Sequence, residues 1–387
     1  MKRLLFDDIF FSLSNSGIAR YWESILTAID ENSLLGDDFE ILIINRSNRL
    51  NHLGFQRIDF PKYDLSHPSM DSYLLGQVCK SLEADLFVSS YYTTAIGVPN
   101  LGVVYDLVPE KFGFSEQSRG WLERLLNWHY CDTFLTISEN SKKDFLDTYG
   151  LCLDSQVEVA YPGIDSLVFK PSDPKFKPSQ LLKSISSEPY FITVGSRHQE
   201  KGYKNGSLIT EAIERTGQIN LNWVMVGGEE PTEEEIRVCR LAEKAIFKIN
   251  ANDYELAFLL RNAVCLIYPS LYEGFGIPPL ESLAVGTPAI VCDGSSLPES
   301  VGSLGTFISG DNCFELSEAI KHVQLPSYRK MISQLGPSHA KQFSWTITAE
   351  IFIKKVTEEL SRNPAPNRVE INDLFSFYNQ KMRHFQA

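Results

Sequence analysis

The stretch from Cys265 to Asp293, CLIYPSLYEGFGIPPLESLAVGTPAIVCD, leaves the chain few ways to fold. The run 264–268 is short and apolar with β-branched residues, which suits a strand buried on both faces. From 277 to 285 the spacing of Ile277, Leu280, Leu283 and Ala284 is helical, and Pro278 and Pro279 fall in the first turn, where a missing N–H is tolerated. Gly286, Thr287 and Pro288 stop that helix, and Ala289 to Cys292 opens another buried strand. Glu273-Gly274-Phe275-Gly276 is then a strand-to-helix loop at the carboxyl end of a parallel strand, where open α/β sheets bind nucleotides. Its glycines let backbone approach a ligand, and the free N–H groups of a helix start favour a phosphate.

Glu273 stands in this loop and Glu281 lies eight positions on, in the helix. Carboxylates beside an anion cradle serve to accept hydrogen bonds from hydroxyls, so the pair points to a ligand both phosphorylated and polyhydroxylated, a nucleotide sugar. The string PSLYEGFGIPPLESLAVGTPAI resembles the signature of the retaining family 4 glycosyltransferases, whose two glutamates are separated by seven residues. The plain alternative, an ordinary βαβ crossover with exposed glutamates, does not predict the whole string. The resemblance implies the GT-B fold: two Rossmann-like, doubly wound parallel-sheet domains facing a cleft, with a C-terminal helix crossing back to the first. It also implies that Glu273 holds donor-sugar hydroxyls, that the backbone of Gly274, Phe275, Gly276 and Ile277 meets sugar and diphosphate, and that Glu281 grips the ribose.

At 387 residues the chain exceeds what one core usually supports, so two domains are expected. A net charge of −13 argues against a general nucleic-acid binder while leaving room for local phosphate sites. The seven cysteines are scattered with no C-x-x-C pair, indicating neither a disulfide framework nor a zinc site. A reducing cytosol fits them best. Asp7 and Asp8 interrupt the apolar start, so no signal peptide is expected, and no apolar run approaches the roughly 18 residues of a spanning helix. A lipid acceptor would call for peripheral docking at the inner face of the membrane.

Along the first half, Lys2 to Phe11 reads as a strand and Ile18 to Ile29 as an amphipathic helix. Between them, Gly17-Ile-Ala-Arg20 resembles the family's N-terminal loop, which faces donor diphosphate and acceptor, and makes Gly17 and Arg20 candidate ligand residues. Strands are expected at 39–45, 85–90, 101–105, 133–137 and 157–161, with helices at 69–82 and 117–130. Family members often carry His-Asp where this chain has Tyr105-Asp106. That removes any histidine-based role and makes Asp106 the candidate site carboxylate, with a helix cap or loop salt bridge as the equal alternative. Ser138, in a segment similar to the family, is a helix cap, an acceptor contact or both. Residues 171–178, rich in Pro, Lys and Asp, read as the linker, dividing domains at 1–175 and 176–344, with 345–387 returning to the first.

The second half repeats the plan. After a strand at 190–194 comes a loop with Arg197, Lys201 and Lys204, a diphosphate clamp in which Arg gives a bidentate fork and Lys a point charge. Lys201 and Lys204 compete for the family lysine, and the distance to Leu208-Ile209 favours Lys204. Lys248 and Asn250 end a strand at 246–250, where relatives hold the base by backbone contacts. A helix from Trp345 to Leu360 is the one expected to cross back.

The resemblance implies a hexosyl transfer from a nucleotide diphosphate sugar, UDP-sugars favoured by family habit, to a hydroxyl on a glycan or glycolipid. No D-x-D string occurs, consistent with cations replacing a divalent metal, so no cofactor or metal is expected. A nucleotide-sugar epimerase or hydrolase on the same fold, or a non-catalytic sugar-nucleotide binder, are the rival readings. Sugar, base, acceptor, linkage and oligomeric state stay open.

Overall fold

The computed structural model describes residues 1–362 apart from 15, 37–38, 64–67, 115–118, 151 and 199–201. By contact the chain forms two compact units, Met1–Tyr161 with the segment that begins at Trp345, and Pro162–Ser344. The run 171–178, expected as a linker, clusters with the second unit. Arg261 Nη1 donates to the Lys170 carbonyl at 3.1 Å beside it, and the Phe176 ring packs on Phe258 at 5.6 Å.

The first unit is a seven-stranded sheet of β1 (Lys2–Asp7), β2 (Phe39–Asn45), β3 (Gln56–Asp59), β4 (Leu86–Ser89), β5 (Asn100–Val104), β6 (Thr133–Thr136) and β7 (Val157–Val159). Its order is β3-β2-β1-β4-β5-β6-β7. The second is a six-stranded sheet of β8 (Tyr190–Val194), β9 (Asn222–Val226), β10 (Ile246–Ile249), β11 (Cys265–Tyr268), β12 (Ala289–Cys292) and β13 (Thr306–Ile308), in the order β10-β9-β8-β11-β12-β13. Every pairing is parallel. Strands such as YFITV and AIVC are apolar almost throughout because helices cover both faces. In each sheet the strand order reverses beside its first strand, creating a crevice at the carboxyl ends of β1 and β4 and another at those of β8 and β11.

β1 ends at Asp7, short of the expected Phe11, and Ile9–Leu13 turns into a helix that buries Ile9, Phe10 and Phe11. A charge network stops the strand. Arg46, with no exposed side-chain surface, donates from Nε to Asp7 Oδ1 at 2.7 Å and from Nη1 to Asp71 Oδ1 at 2.8 Å. Asp8 accepts the Arg46 N–H at 2.7 Å, and Thr93 Oγ1 donates to Asp7 Oδ2 at 2.7 Å. The first crevice is therefore filled by protein side chains that satisfy one another, which is what a buried ion cluster requires.

Trp345–Ser361 forms the expected helix, and it packs on Gly17–Glu31 within the first unit. Trp345, Ala349, Phe352 and Val356 make the helical stripe that enters the core, where Phe352 meets Trp22 edge-on with centroids 5.5 Å apart. Residues 363–387 of the expected returning tail lie outside the described residues.

Candidate functional site

The second unit's crevice is built by the loops that follow β8 and β11. Lys204, in the first loop, donates from Nζ to Glu273 Oε1, in the second, at 2.6 Å, and the two side chains are 17% and 14% exposed. The ammonium also lies over the rings of Tyr203 and Tyr268, 5.2 and 5.8 Å from their centroids. Burial alone would lower its pKa. Glu273 and the neighbouring tyrosines outweigh that and hold it above the ordinary lysine range, so Lys204 stays charged. Burial and the Glu273 carboxylate push the Tyr268 hydroxyl up as well.

The acidic loop is braced from both sides. The Glu273 N–H donates to Ser295 Oγ at 3.0 Å, and Ser296 Oγ donates to the Glu273 carbonyl at 2.8 Å. The Leu271 N–H donates to the Tyr203 carbonyl at 2.8 Å, tying the two loops together. Gly276 begins the turn into the helix Ile277–Ala284 with φ +102°, and a Cβ there would meet Leu297 Cδ2 at 2.8 Å and Ser300 Oγ at 3.0 Å, so no other residue fits without strain. Pro278 and Pro279 remove two of the N–H groups a helix start normally offers. Glu281 sits on the buried side of this helix at 1% exposure, presenting almost no surface to a ligand in this conformation.

Arg197 is 4% exposed and already engaged. Its Nε donates to Glu235 Oε1 at 3.0 Å and its Nη2 to the Glu229 carbonyl at 2.9 Å, while Nη1 is buried with no partner among the described residues. The bidentate fork expected of Arg197 is thus not on offer, and a single nitrogen remains uncommitted. Behind it, Gly228 comes so close to Gly195 that a Cβ would sit 2.2 Å from the Gly195 carbonyl, which brings the loops after β8 and β9 into contact. Glu229 uses that contact. Its carboxylate accepts from the Arg197 N–H at 3.0 Å and from Ser196 Oγ. Arg197, Lys204, Tyr268 and Ser270 line one small crevice.

Lys248 lies in β10, the edge strand two positions from β8, Asn250 follows its last residue, and Lys248 Nζ donates to Asn250 Oδ1 at 3.2 Å on the surface. Lys201 lies outside the described residues. Gly17, Arg20 and Asp106 belong to the first unit. Gly17 opens its helix with nothing within 4 Å of a would-be Cβ, and Asp106 Oδ1 accepts the Val108 N–H at 3.0 Å from one position before Leu107, the N-cap of the short helix Val108–Lys111. Tyr105 is core: its hydroxyl accepts from Trp22 Nε1 at 2.5 Å and donates to the Ser90 carbonyl at 2.8 Å. Ser138 caps Glu139–Tyr149 by accepting the Ser141 N–H at 2.9 Å.

The sequence reading missed Glu229 and Glu235; of the two, Glu235 left a signal, as the Glu of the capping box Thr232-Glu-Glu-Glu235. Among the described residues no group of three or more His, Cys, Asp and Glu side chains could hold a metal ion.

Residues 177–334, which contain this whole crevice, match the family described as glycosyl transferases group 1. The chain is 38% identical over 94 residues to the O-antigen chain mannosyltransferase B of Escherichia coli, covering 24% of this chain and 25% of that one. It is 28% identical over 340 residues to the O-antigen chain mannosyltransferase RfbU of Salmonella typhimurium, covering 81% and 89%. A D-inositol 3-phosphate glycosyltransferase of Paenarthrobacter aurescens is 26% identical over 237 residues, and the match spans 57% of its length. Among solved structures, HepE of Anabaena in complex with UDP and glucose superposes with a TM-score of 0.71 at 15% identity, covering 92% of this chain and all of that one. A glycosyltransferase of Rickettsia africae gives 0.68 at 16%, covering 94% and 99%. Two parallel-sheet units in the GT-B arrangement of strands, the second carrying a segment that matches the glycosyl transferases of group 1, are what this chain shares with these relatives and neighbours.

Proposed function

We propose that the chain is a retaining hexosyltransferase that takes a nucleotide diphosphate sugar and delivers the sugar to a hydroxyl of a glycan or glycolipid. The observation that carries this reading is the Lys204–Glu273 pair, closed at 2.6 Å across the mouth of the second crevice. A diphosphate arriving there takes the ammonium and the Gly274–Ile277 N–H groups. Glu273 then loses its partner, and a part-buried carboxylate needs another, which sugar hydroxyls supply.

In the transfer, the acceptor oxygen bonds to the anomeric carbon on the face the phosphate leaves. The carbon–oxygen bond to the diphosphate breaks with its electron pair going to the phosphate oxygen, and the acceptor's proton passes to that same leaving group. Negative charge accumulates on the diphosphate, so positioned cations and N–H donors are what the step needs. Lys204 supplies the charge without a divalent metal, and Arg197 adds its one uncommitted nitrogen. Gly17 and Arg20 are proposed to meet the donor diphosphate and acceptor, Asp106 to accept from the acceptor or donor sugar, Glu281 to hold the ribose, and Lys248 with Asn250 to frame the base. Relatives named as mannosyltransferases and a neighbour holding UDP and glucose leave two donor classes to compare. Among the described residues no helix is long and apolar enough to cross a membrane, and a lipid-linked acceptor would be met by peripheral docking.

A thermal-shift panel of UDP, GDP, UDP-glucose and GDP-mannose tests the reading. A binder at about 100 times its dissociation constant adds about 2.7 kcal/mol of stability. Product analysis with and without a glycan acceptor separates transfer from rivals: free sugar or an epimer released at full rate without acceptor favours a hydrolase or epimerase. Activity abolished by EDTA and restored by Mg²⁺ or Mn²⁺ contradicts the metal-independent step.

A further inference from the structure

We infer that Glu235 is a positioning residue for donor binding, acting through Arg197; this rests on the reading of the second crevice as a diphosphate site. Glu235 has no exposed surface and lies in the helix Glu233–Leu241, which follows β9 rather than β8 or β11. Its two carboxylate oxygens have separate duties. Oε2 accepts the Thr232 N–H at 2.7 Å and completes the capping box of its own helix. Oε1 reaches the basic loop, accepting from Arg197 Nε at 3.0 Å and contacting His198 Nε2 at 3.0 Å.

The second contact decides what Arg197 can do. A guanidinium is a rigid plane, so fixing Nε through Glu235 and Nη2 through the Glu229 carbonyl fixes where Nη1 points. Nη1 is the buried nitrogen with no partner among the described residues, in a side chain that lines the same crevice as Lys204. A buried N–H donor left without an acceptor costs free energy, and an anionic oxygen entering the crevice relieves it. Glu235 thus holds Arg197 so that one donor is kept ready for an anion, and it does so from a helix that does not line the crevice.

The competing interpretation is that Glu235 only caps its helix. Glu235→Gln keeps the shape and the side-chain oxygen that can cap, but weakens the charge-assisted bond to Arg197. Thr232→Ala removes the other half of the capping box and leaves the Arg197 contact in place. Glu235→Asp keeps the charge on a shorter stem. Isothermal titration of wild type and the three variants with UDP and with GDP, and with uridine and guanosine as phosphate-free controls, gives the answer. The expected result is that the diphosphate bound by wild type binds about tenfold more weakly to Glu235→Gln, with nucleoside binding unchanged. Thr232→Ala is expected to lower the melting temperature without changing diphosphate affinity, and Glu235→Asp to recover part of the lost affinity. In turnover, Glu235→Gln raises the donor KM more than it lowers kcat. Diphosphate affinity equal to wild type in a folded Glu235→Gln, or an equal loss in Thr232→Ala, overturns the inference while leaving the crevice a diphosphate site. Wild-type protein that binds neither UDP nor GDP overturns the reading and the inference with it.

Discussion

Lys204 carries most of what is proposed for the second crevice, because Glu273 and the neighbouring tyrosines favour its charged form and its present partner is replaceable. Lys204→Ala is expected to weaken nucleoside diphosphate binding by about tenfold to a hundredfold, about 1.4 to 2.7 kcal/mol. It should also lower stability, since Glu273 is left part-buried and unpaired. The double variant Lys204→Ala/Glu273→Ala should regain that stability without regaining binding, which a thermal melt and a titration on the same samples will show. Stability recovering together with binding would contradict the assignment. Two other carboxylates set an acid limit. For Glu229 and Glu235 burial alone would raise the pKa, but hydrogen bonds from Ser196, Thr232 and Arg197 hold both below the ordinary 4.5. A depressed folded pKa contributes stability that is present above the unfolded value and lost as pH falls through the folded one. Melting temperature should therefore decline below about pH 4.5, less steeply in Glu235→Gln. Parallel pH profiles for the two proteins would show that Glu235 is not involved.

At the scale of elements, strands and helices with strong periodicity were legible and weak or tertiary features were not. The strands 190–194, 222–226 and 289–292 end where the apolar runs end, because burial on both faces leaves composition no latitude. β3, with the polar sequence QRID, and β13, three residues long, carry no such signal and exist because β2 and β12 offer them an edge. The helix Ile9–Leu13 was hidden for a different reason. Its cause is Arg46, whose bonds to Asp7 and Asp71 span 39 and 25 positions, a distance over which local pattern says nothing. The same holds in the site: Lys204 and Glu273 could be named from their loops, but Arg197 being taken up by Glu235, 38 positions away, could not. The helix Trp345–Ser361 was expected from its period, and its attachment to the first unit rests on few side chains. Phe352→Ala should cost about 3–5 kcal/mol, as for other buried aromatics. That cost should appear in a melt of the first unit, with UDP or GDP affinity at the second unit retained. A loss under about 1 kcal/mol would mean the helix is not part of that core.

At the scale of the whole molecule, two sheets with the same strand order use their switch points in opposite ways. The first is closed by Arg46, Asp7, Asp71 and Thr93, which satisfy one another; the second is closed by Lys204 and Glu273, two groups that a phosphate and a hydroxyl can separate. The repeated architecture is therefore no guide to function, for which the loop chemistry of the second unit is the proposed seat of donor binding. The most direct measurement is a crystal structure with whichever nucleotide sugar stabilises the protein. The diphosphate should lie within hydrogen-bond reach of Lys204 Nζ and the 274–277 N–H groups, with a sugar hydroxyl on Glu273. A nucleotide sugar bound elsewhere while Lys204 and Glu273 stay paired would contradict it.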